Sequence, residues 1–133
     1  SPVDVVVTAP DGKRLGKDFQ TGQEINEIDG SFYSGFLTDN EYLTILNPLD
    51  GEYKIETQGT DNGGEYTVAS AYISDTSLAE KDFIAQTKPG LVTELDLSIN
   101  SQQPTSIEVK PMDTTPPATV MTMVIAPVSN HVA

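Results

Sequence analysis

The chain has 133 residues, 37% hydrophobic and 7% aromatic, with no cysteine and no tryptophan, so disulfide stapling, thiolate metal sites and cysteine catalysis are excluded. Its 20 acidic against 7 basic residues give a formal net charge of −13. That field repels phosphate backbones and anionic lipid surfaces, which argues against nucleic acid and membrane as partners and leaves cations as natural counterparts. The length suits one domain with a real core, and the thin apolar content suits strands that bury only alternate residues.

In chain order, Val3 to Thr8 is an opening strand rich in β-branched residues, stopped by the Ala9-Pro10-Asp11-Gly12 turn. Lys13 to Gly16 can run back as a short partner. Residues 16–40 hold four glycines and keep no long apolar period, which predicts a long loop with one short strand or helical turn. Glu41 to Leu46 reads as a strand ended by Asn47-Pro48.

From Asn47 to Ser74 two alternating runs flank the Gly-rich segment Gln58 to Gly64, which predicts a hairpin. Tyr53, Ile55 and Thr57 share one side of its first strand; Tyr66, Val68, Ser70 and Tyr72 share one side of its second. Asp75 to Lys88 has helical spacing through Leu78, Phe83 and Ile84, with a strand over Asp82 to Gln86 as the competing reading.

Leu91 to Ile99 alternates, with Leu91, Thr93, Leu95, Leu97 and Ile99 inward. Ser106 to Lys110 is a last short strand. The prolines between Asp113 and Pro117 mark a stiff junction, so residues 1–112 are expected as one domain and 113–133 as a linker with a terminal strand, either paired back or opening a neighbour. The apolar run from Val120 to Val128 is far short of the ~20 residues that span a bilayer, so no membrane insertion is expected. The pattern as a whole predicts an all-β, two-sheet antiparallel β-sandwich of about seven to nine strands with Greek-key connections. Its expected core is Val5, Val7, Tyr53, Ile55, Val68, Leu95, Leu97 and Ile99.

Catalytic chemistry finds no footing. The one histidine, His131, has no serine–acid partner arrangement, and Asp61-Asn62-Gly63-Gly64 lacks the lysine and helix of a phosphate loop. No enzyme activity is expected. Calcium takes six to eight oxygens from clustered loops, which makes Asp39, Asn40, Glu41 and Asp61 the metal candidates, ahead of Asp11, Asp18, Asp29, Asn62 and Asp75. The competing explanation is that Asp and Asn are good turn residues, and it is the commoner one. Exposed rings stack on sugars, so Phe32, Tyr33 and Phe36 are the ligand candidates, against the commoner role of anchoring a loop to the core. Lys–Asn isopeptide crosslinking needs a buried lysine, asparagine and acid together, a proximity that sequence does not test.

The segment Leu49-Asp50-Gly51-Glu52-Tyr53 resembles the tyrosine corner of immunoglobulin-like domains, in which a Tyr hydroxyl bonds back to nearby backbone, although the following cysteine is missing. PLDGEYKIETQG and GEYTVASAY look like the strand pairs of pre-peptidase C-terminal modules, over about a quarter of the chain. SPVDVVVTAPDGKRLG, DGSFYSG and the Asp-Thr-Thr-Pro-Pro junction look like accessory domains of bacterial surface proteins. The resemblance implies a non-catalytic module, secreted or displayed at the cell surface. Its partners would be other domains of the parent chain, or, as an adhesive or carbohydrate-binding module, a surface glycan or protein.

Overall fold

A computed structural model of the chain describes residues 2–75, 78–102, 108–111 and 131–132. Among them there is no helix. Strands β1 (Val3–Thr8), β2 (Arg14–Lys17), β3 (Glu24–Asn26), β4 (Ser31–Tyr33), β5 (Leu43–Ile45), β6 (Gly51–Gly59), β7 (Gly64–Ile73), β8 (Leu78–Thr87), β9 (Val92–Ile99), β10 (Glu108–Pro111) and β11 (His131–Val132) follow in order. They form a six-stranded sheet ordered β10-β9-β6-β1-β2-β3, a three-stranded sheet β11-β7-β8 and a two-stranded sheet β4-β5. All pairs are antiparallel except the two-residue parallel pairing of β11 with β7.

The run VDVVVT becomes an interior strand because β-branched side chains suit a surface covered on both faces, and Val3 to Val7 are buried throughout. Its turn forms as expected, with the Gly12 N–H donating to the Ala9 carbonyl at 2.9 Å. Gly16 sits at φ +132°, and a Cβ there would lie 2.3 Å from the Val5 carbonyl oxygen, so only glycine lets β2 approach β1 this closely.

The hairpin expected across Asn47 to Ser74 does not form. Both strands exist, but β6 pairs with β1 on one edge and β9 on the other, while β7 pairs with β8. With both edges of β6 taken, Thr60 to Gly63 carries the chain from one sheet to the other. A second crossing, Lys88 to Leu91 between β8 and β9, lies against it. The Gly59 N–H donates to the Leu91 carbonyl and the Gly90 N–H to the Gly59 carbonyl, both at 2.9 Å. The N-terminal end joins them through the Thr60 N–H and the Pro2 carbonyl at 2.8 Å.

The helix considered for Asp75 to Lys88 is replaced by β8. Its inward positions are Ala79, Phe83, Ala85 and Thr87, whereas Leu78 and Ile84 face outward and are exposed. Two of the four inward residues are alanine, so the true period of two is faint and the outward leucine and isoleucine imitate a helical stripe. The long loop expected over residues 16–40 contains two short strands, β3 and β4, and the strand expected over Glu41 to Leu46 shortens to β5. Leu91, expected inward, is exposed because it belongs to the crossing before β9.

One core draws on both larger sheets: Val5, Val7, Tyr53, Ile55, Leu95 and Ile99 from the first, Tyr66, Val68 and Ala85 from the second. Leu97 packs against it half-buried. The Thr57 and Tyr66 hydroxyls, 2.7 Å apart and buried, satisfy each other inside it. Tyr53 makes the corner bond its motif suggests, its hydroxyl donating to the Leu49 carbonyl at 2.8 Å. The junction at residues 113–117 and the strand-like run over 120–126 lie outside the described residues.

Two substitutions test this packing. A Cβ on Gly59 would lie 1.9 Å from the Lys88 carbonyl oxygen, so Gly59→Ala is expected to cost at least about 2 kcal/mol, read as a lower urea midpoint at unchanged slope. Tyr53→Phe keeps the ring and deletes the corner bond, with an expected loss of about 1 kcal/mol in the same titration.

Candidate functional site

The hairpin of β4 and β5 brings together residues that the sequence assigned to different sites. Ser31 pairs with Ile45 and Tyr33 with Leu43, and the loop Ser34 to Tyr42 closes over the end. The loop is tied by the Ser34 N–H to the Tyr42 carbonyl (2.9 Å) and by the Tyr42 N–H to the Ser34 hydroxyl (2.8 Å). This places Glu41 directly behind Tyr33, whose hydroxyl donates to Glu41 Oε1.

Glu41 is fully buried, and its Oε2 is a buried acceptor with no hydrogen-bond partner; the neighbouring Asn40 Oδ1 is another. Burial drives the Glu41 carboxyl up to about 7, and the charge of Asp4 pushes the same way. The Tyr33 hydroxyl and the Val5 backbone N–H oppose that rise by favouring the ionised form. Burial and then the Glu41 hydrogen bond push the Tyr33 hydroxyl far above its ordinary range.

Around this pair the charges are matched locally. Asp4, itself buried on β1, takes an ion pair from Lys17 Nζ on β2 at 2.7 Å. The same ammonium lies 4.4 Å from the centroid of the Phe36 ring, a cation–π contact. Glu24 on β3 adds to the negative potential at Tyr33. The arrangement joins β1, β2, β4 and the hairpin loop, and a buried carboxylate bonded to a phenol is chemically a proton store and a clamp.

The other candidates are placed apart from it. Asp39 is exposed at the loop tip, and Asp61 stands at φ 49° in the tight turn closed by the Gly63 N–H and the Thr60 carbonyl. Among the described residues no three Asp, Glu or His side chains are grouped to hold a metal ion, so Asp39, Glu41 and Asp61 make no common carboxylate site. Asp11 accepts the Lys13 N–H at 3.1 Å and Asp18 the Gln20 N–H at 2.8 Å, each bracing its own turn. That Gln20 bond is the main reason the Asp18 carboxyl sits below its ordinary value. Asp29 lines a small cavity of about 220 Å³ together with Asp11 and Lys13. Of the three ring candidates only Phe32 is exposed, at 58%; Tyr33 turns inward and Phe36 covers Lys17.

Sequence reasoning missed Asp4 and Lys17. Their one signal was an acid within an otherwise apolar strand and a lysine on the strand that returns beside it. No family model matches the chain, and neither a curated protein nor a solved structure matches it.

Because the folded pKa of Glu41 lies above its unfolded value of 4.5, the folded state holds this proton more tightly. The associated stability is complete below about pH 4.5 and is lost as pH rises through about 7. Glu41→Gln keeps the shape without the charge, so its urea midpoint is expected to fall less than that of the parent chain between these pH values, by a free energy on the order of 3 kcal/mol.

Proposed function

We propose that this chain is a non-catalytic structural or accessory module of a secreted or surface-displayed multidomain protein, built as a two-layer antiparallel β-sandwich with Greek-key connections. It acts as a spacer or stabiliser for its neighbours in the parent chain, in the manner of the pre-peptidase C-terminal and immunoglobulin-like modules its motifs resemble. The observation that supports this most is where the polar side chains spend their bonding capacity. The Tyr33 hydroxyl is spent on Glu41 Oε1 inside, Tyr53 closes its corner, and Asp11, Asp18 and Asp50 brace turns of their own chain. Asp50 alone accepts both the N–H and the hydroxyl of Ser101, at 2.8 and 2.9 Å. Groups used in this way hold a shape.

A second reading, an adhesive or carbohydrate-binding module, is favoured by one feature of the β4–β5 hairpin. Phe32, Leu37 and Tyr42 are all exposed there, Leu37 at 92%. Rings presented on a hairpin can stack on sugar faces.

A glycan array probed with the isolated chain separates the two. The spacer reading expects no reproducible binder. A glycan retained by the parent chain and lost on Phe32→Ala, a surface change expected to alter stability by less than about 0.5 kcal/mol, would replace it with the second reading. Calcium is tested alongside by melting the chelated chain in calcium, magnesium and sodium at matched ionic strength. Turn-bracing carboxylates predict equal shifts, whereas a calcium site filled 100-fold above its Kd would add about 2.7 kcal/mol for that ion alone.

A further inference from the structure

A cleft of about 590 Å³ opens beside one edge of β7. Val5, Val7, Ile55 and Ile99 of the six-stranded sheet line it, with Leu43 to Leu46 on the hairpin side. No lining residue carries a charge, in a chain of net charge −13.

The backbone around this cleft is unevenly paired. β8 covers β7 along its whole length, from Gly64 opposite Thr87 to Ile73 opposite Leu78. On the other edge, among the described residues, β11 pairs with Thr67 and Val68. Among the described residues no strand covers Ala69 to Ile73 there, and β5 is paired on one edge only, to β4. Those five residues span about 16 Å of edge, toward which alternate residues point their N–H and C=O. Two open edges above an apolar lining are the elements of strand addition, in which backbone bonds supply affinity and alternate side chains supply fit.

We infer that this cleft accepts one extended strand of a partner protein, apolar at alternate positions and basic at its ends, laid parallel to β7 along Ala69 to Ile73. The direction follows from β11, which enters the same edge parallel, with His131 opposite Thr67 and Val132 opposite Val68. The alternation follows from β7 itself, where Val68, Ser70 and Tyr72 turn toward the interior and Ala71 and Ile73 do not. The basic ends follow from the acidic field, which steers a cationic segment in and repels a second copy of this chain. A small apolar molecule would fill the lining and leave both edges unpaired. The inference goes beyond the spacer reading and does not depend on it.

The test titrates the whole chain with a labelled peptide of alternating valine and threonine carrying two lysines at each end. A peptide with glutamates in place of the lysines, and one with its valines grouped together, serve as controls. The expected result is saturable binding by the first peptide, weakened by salt, with slowed exchange of the amides among Ala69 to Ile73 that face away from β8. Ala71→Pro, which removes an edge N–H, should weaken it about tenfold, the equivalent of one or two backbone hydrogen bonds. Should that variant fail to fold, Leu46→Lys at an exposed cleft position should weaken the lysine-flanked peptide and leave the melting temperature unchanged. Absence of saturable binding, or equal binding of the glutamate-flanked peptide, would overturn the inference. So would protection, in the free chain, of those amides among Ala69 to Ile73 that face away from β8, or a dimer that closes the edge with a second copy.

Discussion

β6 is hydrogen-bonded on both edges, to β1 from Thr8 opposite Lys54 to Val3 opposite Gly59, and to β9 from Gly51 opposite Ile99 to Gln58 opposite Val92. A strand has two edges, so this double pairing leaves no place beside β6 for the strand that follows. β7 instead pairs with β8 in another sheet, and apolar residues of β6 and β7 contribute to one core. The Thr57–Tyr66 bond records that meeting, since side chains on two strands of one flat hairpin would lie side by side on its surface. The crossing is tight, and the contact of Gly59 with Lys88 and the Gly59–Gly90 hydrogen bond make it share its space with the next crossing. The two crossings are therefore one structural unit.

A second constraint acts at the other side of β1. Glu41 enters a buried position beside Val5, where an isolated carboxylate would carry a heavy desolvation cost. Three features offset that cost: the Tyr33 hydroxyl, the nearby Val5 N–H and a pKa high enough for the group to be partly neutral near pH 7. The adjacent Asp4 is compensated separately by Lys17. The Tyr33–Glu41 and Asp4–Lys17 contacts favour one orientation of the hairpin, because another placement would break both. That is a structural use of ionisable chemistry.

The distribution of charge gives the surface two characters. Most carboxylates are outward and serve turns or solubility, while the cleft between β5 and β7 carries none. An uncharged apolar recess inside an acidic field is a discriminating surface. It favours approach by cationic chains and rewards only those that can desolvate and pair their backbone.

Alternation and turn chemistry were enough to read the β class and the strands β1, β6, β7 and β9 from sequence. All eight of the expected core residues belong to or pack against the core. These are local properties, since period two and a Pro-Asp-Gly or Gly-rich turn depend on neighbours along the chain. The hydrogen bond from the Tyr53 hydroxyl back to the Leu49 carbonyl was legible for the same reason, since it spans only four residues. Strand partnership was not, because which edge is free is decided by residues far away; the apparent hairpin between β6 and β7 was undone by β1 and β9. β8 was obscured by alanines inward and leucine and isoleucine outward. The Tyr33–Glu41–Asp4–Lys17 cluster joins four segments whose proximity no spacing encodes. Burial assigned Glu41 its role, and burial belongs to the tertiary structure alone.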